Sequence, residues 1–113
     1  MRLGLIFSAA AVALAIASPA EARDRYDRRI VVMNQSNDTI VEVHITNVGR
    51  DDWGRDLLGN NVVPPGYEIT VNPEDNSGYC KYDLLAVNEY GQTTFYEDAN
   101  ICTATQWVIW DFD

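Results

Sequence analysis

Two acidic loops contain the side chains best suited to binding a metal ion. Hard cations such as calcium and the trivalent lanthanides take about six to eight or more oxygen ligands from carboxylates, amides and backbone carbonyls. Loops rich in Asp, Asn and Gly offer such oxygens together with tight backbone turns. The candidate ligands are Asp51, Asp52 and Asp56 in the first loop and Glu74 and Asp75 in the second.

Neither acidic loop matches the spacing of an EF-hand. The first loop lacks ligands at alternate positions, and the second has a displaced glycine and predicted strands around it. The pattern is therefore compositional, and it is also typical of a solvated surface on which Asp and Asn side chains form ordinary turns. A metal site additionally requires that the two loops meet in the folded chain.

The residues that most often perform catalysis are scarce in this chain. His44 is the only histidine, and it falls on the polar face of an alternating segment, as expected of a surface side chain. No phosphate-binding glycine loop, dinucleotide fingerprint or HExxH motif is present. Abundant carboxylates leave a glycosidase-like pair open, but a domain of this size has little room for a deep cleft. We therefore expect a protein without enzymatic activity.

Cys80 and Cys102 are the two cysteines of the chain, so only one intramolecular pairing exists. In an oxidising, exported compartment we expect a disulfide between them, closing a loop of 23 residues. The alternative is a pair of thiols that serve as metal ligands or as a redox centre. The absence of a CxxC spacing, and of any histidine besides His44, favours the disulfide.

The first 22 residues have the pattern of a secretory signal peptide. Arg2 precedes an apolar run from Leu3 to Ile16, and small residues form an A-x-A cleavage site that ends at Ala22. The apolar run is too short to span a bilayer and no second run follows, so we expect a periplasmic protein without a transmembrane segment. Residues 23–29 predict a flexible basic arm, and residues 30–113 predict a single domain.

The charge of the chain limits its possible partners. There are 17 acidic and 8 basic residues, giving a net charge of -9. From Ile30 onward the only cationic residues are Arg50, Arg55 and Lys81, so the predicted domain is more acidic than the whole chain. The excess negative charge repels phosphates and argues against nucleic acid as a partner. Cations, basic proteins and neutral ligands remain compatible with it.

Apolar and polar residues alternate along most of the domain, which predicts strands rather than helices. Residues 30–34 and 39–46 flank a Ser-Asn-Asp turn and predict an N-terminal hairpin. A third strand follows a Pro-Pro-Gly turn, and residues 79–88 are apolar on both faces, as in a central strand. Residues 93–96 and 105–112 supply the returning and last strands. Six to seven short strands predict an all-β fold, either a small antiparallel β-sandwich or a barrel-like domain.

Aromatic residues of the last strand offer a second candidate binding surface. Trp107 lies on one face of this predicted strand, and Trp110 and Phe112 lie on the other. Core packing accounts for most rings in a small domain, but a strand that is apolar on both faces leaves at least one ring exposed. An exposed aromatic edge strand favours a homodimer or strand addition by an exported protein partner.

Several short motifs resemble those of a family of small exported proteobacterial proteins. They are Asn34-x-Ser36, Asp52-Trp53-Gly54-Arg55-Asp56-Leu57-Leu58-Gly59, Pro64-Pro65-Gly66, Cys80-x-Tyr82-Asp83-Leu84 and Asn100-x-Cys102. The pair W-G-x-D-L-L-G and C-x-Y-D is the most specific part, and the resemblance covers nearly all of residues 30–112. The set is also similar to the periplasmic lanthanide-binding chaperones of methylotrophs. That resemblance implies a metal carrier with carboxylate ligands and metal-linked dimers, and it assigns no ligand residue by residue.

These observations lead to two hypotheses of different classes. The first is a periplasmic, non-enzymatic protein that binds a lanthanide or calcium ion through its acidic loops, as a metal carrier or chaperone. The second is an exported protein–protein interaction module that uses an aromatic edge strand and an acidic face. Chelation distinguishes them, because only the first function depends on a metal ion.

Overall fold

The computed structural model describes residues 24–113 of the chain. The predicted signal peptide, residues 1–22, and Arg23 lie outside these described residues. Residues 24–113 form six β-strands and contain no helix. The strands are β1 (Ile30–Asn34), β2 (Ile40–Asn47), β3 (Glu68–Val71), β4 (Lys81–Asn88), β5 (Thr93–Asn100) and β6 (Gln106–Ile109).

The strands form two three-stranded sheets that pack against each other. One sheet has the order β3-β1-β6 and the other has the order β2-β4-β5. The predicted all-β fold is confirmed. Three of the four strand pairings are antiparallel, whereas β1 and β6 run parallel, with Val31 opposite Gln106. The sandwich is therefore mixed at this one pairing rather than wholly antiparallel.

The predicted N-terminal hairpin of β1 and β2 is wrong, because the two strands belong to different sheets. The connection at residues 35–39 is a corner between the sheets and not a hairpin turn. The buried side chain of Asn34 holds this corner. Its Nδ2 donates to the carbonyls of Asp38 and Val63, and its Oδ1 accepts from the N–H and hydroxyl of Ser36. These bonds satisfy a fully buried amide and replace the hairpin pairing that alternation alone suggests.

The core lies between the inward faces of the two sheets. Along β1 and β4 alternate residues are buried, as the period of two predicts. β4 lies between β2 and β5, so its prediction as a central strand is confirmed. Leu58 of the loop after β2 also enters the core. The buried apolar residues are Ile30, Val32, Ile40, Val43, Ile45, Leu58, Val63, Val71, Tyr82, Leu84, Ala86, Ile101 and Ile109.

The predicted disulfide between Cys80 and Cys102 is confirmed, and it leaves no free cysteine. It joins the residue before β4 to the turn after β5, next to the pair formed by Lys81 and Asn100. The cross-link therefore fixes the end of the β4–β5 hairpin that is opposite its turn. Residues 24–113 include no helix long and apolar enough to cross a membrane.

The prediction of a flexible arm at residues 23–29 does not hold for Arg28, which is only 2% exposed. Its guanidinium donates to Asp24 Oδ2 at 2.8 Å, to Glu74 Oε1 at 2.8 Å and to the carbonyl of Tyr79 at 2.7 Å. The carboxylates hold the pKa of Arg28 above its ordinary value despite the cost of burial. A buried charge requires such partners, so Arg28 attaches the segment before β1 to the loop after β3.

Candidate functional site

Two of the predicted metal ligands, Asp51 and Asp52, face solvent in the loop after β2. Asp52 Oδ1 accepts a hydrogen bond from Arg50 Nη2 at 2.7 Å, which makes an exposed ion pair within the loop. The guanidinium thus engages one of the two carboxylate oxygens of Asp52. Exposed pairs of this kind contribute little to stability.

Asp56, the third predicted ligand in this loop, accepts hydrogen bonds from the backbone. Its Oδ1 accepts from the N–H groups of Val43 and Leu58, both at 3.0 Å. The N–H of Leu57 donates to the carbonyl of Val43 at 2.7 Å. Both outward backbone groups of Val43 are therefore satisfied by residues 56–57. Asp56 covers the outer edge of β2, which is a structural role.

Asp75, in the loop after β3, is engaged by side chains at the end of the sandwich. Its Oδ1 accepts from the hydroxyl of Tyr82 at 2.7 Å, and its Oδ2 accepts from Asn47 Nδ2 at 2.8 Å. Partial burial acts to raise the pKa of Asp75, but hydrogen bonds from Ser77, Asn47 and Tyr82 outweigh burial and bring the pKa to about 2. The carboxylate is ionised because it accepts these bonds, and no metal is needed to explain its charge.

The two acidic loops do meet, at a small cleft of about 70 Å³. The first loop contributes Arg50 and Arg55 to its lining, and the second contributes Glu74 and Asp75. Three predicted ligands lie outside the lining, namely Asp51, Asp52 and Asp56. Within residues 24–113, no group of three or more His, Cys, Asp or Glu side chains could hold a metal ion. Calcium or lanthanide binding by these residues stays a prediction.

His44 anchors the loop that contains the first acidic residues. Its Nε2 lies 2.9 Å from Glu42 Oε1, and its Nδ1 lies 3.2 Å from the carbonyl of Gly54. Gly54 has a φ of 67°, which favours glycine, and a Cβ there would come within 3.2 Å of the Thr46 side chain. His44 therefore lies on the predicted polar face of β2, where the loop covers it and engages both ring nitrogens.

A different feature distinguishes the two edges of the β2-β4-β5 sheet. Along β2, residues 56–57 bond to Val43, and Ile40 exchanges two backbone hydrogen bonds with Val63. The chain thus covers this edge at Ile40 and Val43. Edge strands that are covered in this way are not available for pairing with another chain.

The outer edge of β5 is covered only at its two ends. At one end the carbonyl of Thr93 accepts the N–H of Asp113 at 3.0 Å, and at the other the carbonyl of Asn100 accepts the N–H of Ala104 at 2.9 Å. Between these points, no backbone hydrogen bond from the described part of the chain reaches the outer side of residues 94–98. We refer to residues 94–98 as the open edge.

Phe95 presents both of its backbone polar groups along the open edge. The N–H of Asn88 donates to the carbonyl of Gln92, which makes these two residues a hydrogen-bonded pair in the antiparallel ladder. Such pairs alternate with non-hydrogen-bonded pairs, and Phe95 opposite Leu85 belongs to the second kind. The N–H and carbonyl of Phe95 consequently point away from β4.

Two aromatic rings flank these free backbone groups. Phe95 is 59% exposed and Tyr96 is 58% exposed. Neighbouring residues of a strand point to opposite faces, so one ring lies on each side of the open edge. Beyond Tyr96 the ladder has a bulge, where Asp98 takes a φ of 61° and its N–H donates to Asp83 Oδ1 at 2.8 Å. The bulge limits the regular part of the edge to a few residues.

The aromatic edge strand predicted from the sequence was β6. β6 does lie at a sheet edge, and Trp110 just after it is exposed, but Trp107 is half-buried against the core. The longer aromatic edge is β5, which the prediction missed. The feature of the sequence that could have indicated it is the Phe95-Tyr96 pair within an otherwise polar strand. Rings in such a strand have few apolar neighbours to pack against and are therefore exposed.

Comparisons with protein-family models, with curated proteins and with solved structures find no match to this chain. The resemblance to small exported proteobacterial proteins and to lanthanide-binding chaperones therefore stays a prediction.

Proposed function

We propose that this chain is an exported, non-enzymatic protein-interaction module that binds an extended polypeptide segment at the open edge of β5. The observation that carries the proposal is the contrast between a β2 edge covered at Ile40 and Val43 and a β5 edge that is uncovered beside exposed Phe95 and Tyr96. In strand addition the bound segment pairs with free backbone groups, and the neighbouring side chains select its sequence. Phe95 contributes both kinds of contact.

Export to the periplasm is supported by two features of the chain. The Cys80–Cys102 disulfide is of a kind that persists in oxidising compartments. The N-terminal residues have the pattern of a cleaved signal peptide. A non-enzymatic role is supported by the contacts of His44 and the cysteines, since both histidine nitrogens and both sulfur atoms are already engaged.

The test is selection of displayed random heptapeptides against the protein purified from the periplasm after expression of the full chain. Selected peptides are then measured by fluorescence anisotropy against wild type, Phe95→Ala and Phe95→Pro. Phe95→Ala removes the ring, and Phe95→Pro also removes the outward N–H. We expect a weaker affinity for Phe95→Ala and a further loss for Phe95→Pro, because main-chain bonds supply affinity in this binding mode.

Tyr90→Ala is the matched control, because Tyr90 is a ring even more exposed than Phe95 and is located in the β4–β5 turn. It should leave the affinity of the selected peptides unchanged. Amide exchange measured by NMR should show protection of the Phe95 N–H when peptide is bound. Peptide binding that survives Phe95→Pro, or that protects amides elsewhere, would contradict the proposal.

A carrier for calcium or a lanthanide is the competing proposal. It is favoured by the approach of the two acidic loops at the cleft lined by Glu74 and Asp75. Chelator-treated protein is titrated with calcium and then lanthanum, following tryptophan fluorescence and melting temperature. Trp53 lies in the first acidic loop and serves as a reporter. Saturation at micromolar ion that is lost in Glu74→Gln/Asp75→Asn supports the carrier, and a flat response contradicts it.

A further inference from the structure

Carboxylates lie at both ends of the open edge, so its chemistry is not uniform along the strand. Asp113 is held at Thr93 by a backbone hydrogen bond, and Asp111 precedes it by two residues. At the other end, Glu97 and Asp98 follow the aromatic pair directly. All four carboxylate residues are exposed. The rings of Phe95 and Tyr96 thus lie between two acidic ends.

Cationic side chains do little to neutralise these acidic ends. In the part of the chain that the structure describes, the single ion pair to these residues joins Lys81 Nζ and Asp98 Oδ1 at 3.8 Å. Both of its side chains are at least half exposed, so water screens the pair. The remaining carboxylates can therefore meet a cation brought by a partner.

Resting on the proposed function, we propose that the segment bound at the open edge is basic, with one Lys or Arg side chain for each acidic end. Consecutive residues of a strand rise about 3.3 Å, so Thr93 and Glu97 lie about 13 Å apart along β5. An extended partner spans this distance with basic residues four positions apart. Its intervening residues pair with Phe95, and its two cations lie on the same face of the sheet as the Phe95 ring.

A second copy of this chain fits the same edge less well. Two copies carry a net charge of -9 each, and antiparallel pairing of their β5 strands about Phe95 would bring Glu97 of one copy opposite Thr93, beside Asp113 of the other. Like charges at an interface oppose association. The bulge at Asp98 further restricts pairing to a short segment rather than a whole strand. Charge complementarity therefore selects a basic segment of another exported protein.

The test uses four labelled, end-blocked peptides and fluorescence anisotropy at low salt. GKTVTKG has lysines four positions apart, GKKVTTG has the same composition with adjacent lysines, and GETVTEG and GTTVTTG are the acidic and neutral controls. We expect GKTVTKG to bind at least about 10-fold more tightly than the neutral peptide and several-fold more tightly than GKKVTTG. The advantage should shrink as salt is raised from about 0.01 M to about 0.15 M.

Variants of the protein separate this inference from the proposed function. Glu97→Gln/Asp98→Asn neutralises one acidic end and keeps a residue that tolerates the positive φ at position 98. It should remove most of the advantage of GKTVTKG over the neutral peptide. Equal affinity for basic, neutral and acidic peptides, all lost in Phe95→Pro, would overturn the basic partner and leave strand addition standing.

Two further outcomes would show whether another partner, or none, binds the open edge. Failure of every peptide to bind, together with no effect of Phe95→Pro on selected heptapeptides, would overturn both proposals. Sedimentation that shows a dimer of the wild type, converted to monomer by Phe95→Pro, would assign the edge to a second copy and overturn the basic partner. A melting curve for each variant confirms that it is folded before its binding is compared.

Discussion

Asparagine side chains end most strands of this protein. In each case the amide oxygen accepts a hydrogen bond from the N–H two residues later, which turns the chain out of the sheet. Four of these residues are the last of their strand and the fifth directly follows β3. They are Asn34, Asn47, Asn72, Asn88 and Asn100. Asp56 and Asp75 make the same kind of turn, so acidic loops here are first of all turn-forming loops.

Substitution of Asp56 separates its backbone role from a role as metal ligand. Asp56→Ala leaves the N–H groups of Val43 and Leu58 without their acceptor, and we expect a loss of about 2 kcal/mol in the free energy of unfolding. Asp56→Asn keeps an acceptor oxygen and should lose less than about 1 kcal/mol. Asp52→Ala is the exposed control and should change stability by no more than about 0.5 kcal/mol. Denaturant melts measure all three, and a fully stable Asp56→Ala would refute the role.

Asp75 should make stability depend on acid pH. Its pKa falls from 3.8 in the absence of interactions to about 2 in the folded chain, so it binds a proton more readily when unfolded. Its contribution is therefore present above about pH 4 and is lost as the pH falls toward 2. Urea midpoints measured from pH 5 to pH 2 should fall less steeply for Asp75→Asn than for wild type. Asp52→Asn is the exposed control, and a slope unchanged by Asp75→Asn would contradict the assignment.

At the scale of elements, the two most specific sequence motifs have structural roles. In W-G-x-D-L-L-G, Gly54 and Gly59 take positive φ, Asp56 covers the β2 edge and Leu58 enters the core. In C-x-Y-D, Cys80 forms the disulfide, Tyr82 is buried with its hydroxyl on Asp75, and Asp83 accepts the N–H at the β5 bulge. Each motif builds one edge of the β2-β4-β5 sheet. The spacing of residues within these motifs therefore reflects contacts at the sheet edges.

Proline substitution tests which side of β5 is open. The N–H of Tyr96 belongs to a hydrogen-bonded pair with Leu84, whereas that of Phe95 points outward. Proline is tolerated on an edge strand only where the N–H faces away from the ladder. We expect Tyr96→Pro to lose about 2–4 kcal/mol of stability and Phe95→Pro to lose clearly less. Thermal unfolding compares the two, and equal losses would show that β5 has no open side.

The disulfide should stabilise both the domain and the open edge. Closing its 23-residue loop is worth about 3 kcal/mol in the chain-entropy model. Cys80→Ser/Cys102→Ser should lower the free energy of unfolding by about that amount. Because the cross-link joins the ends of β4 and β5, amide exchange should accelerate most in residues 96–101. Uniform acceleration across all six strands would indicate that the disulfide acts only on global stability.

At the scale of the whole molecule, alternation of apolar residues predicts the class of fold and little of its pairing. The period of two places β4 at the centre, because its residues are apolar on both faces. Alternation does not encode a partner, however, and β1 pairs with β3 and β6 rather than with the adjacent β2. The burial of Arg28 could not be predicted from the sequence either, because its charge partners depend on where the loop after β3 lies.

The candidate site shows a similar limit. Composition identifies carboxylates but not what their oxygens accept, and Asp56 and Asp75 are used by backbone and side-chain donors. The sequence predicted that an aromatic edge strand and an acidic face would be present. The position of this edge on β5 was not predicted, because whether a strand lies at an edge is decided by the order of strands across the sheet. Local pattern does not contain that order.

The parallel pairing of β1 with β6 has a consequence for the order in which the chain folds. The strand between β3 and β6 in its sheet is the first to emerge during synthesis, and one of its two neighbours is the last. Contacts between such distant residues form slowly, because the loop must close before they can contribute. Under the proposed export, this delay would keep the growing chain unfolded and able to pass through a translocation pore. A chain ending at Ala104 should remain protease-sensitive and lack β-sheet circular dichroism, whereas the full chain is resistant.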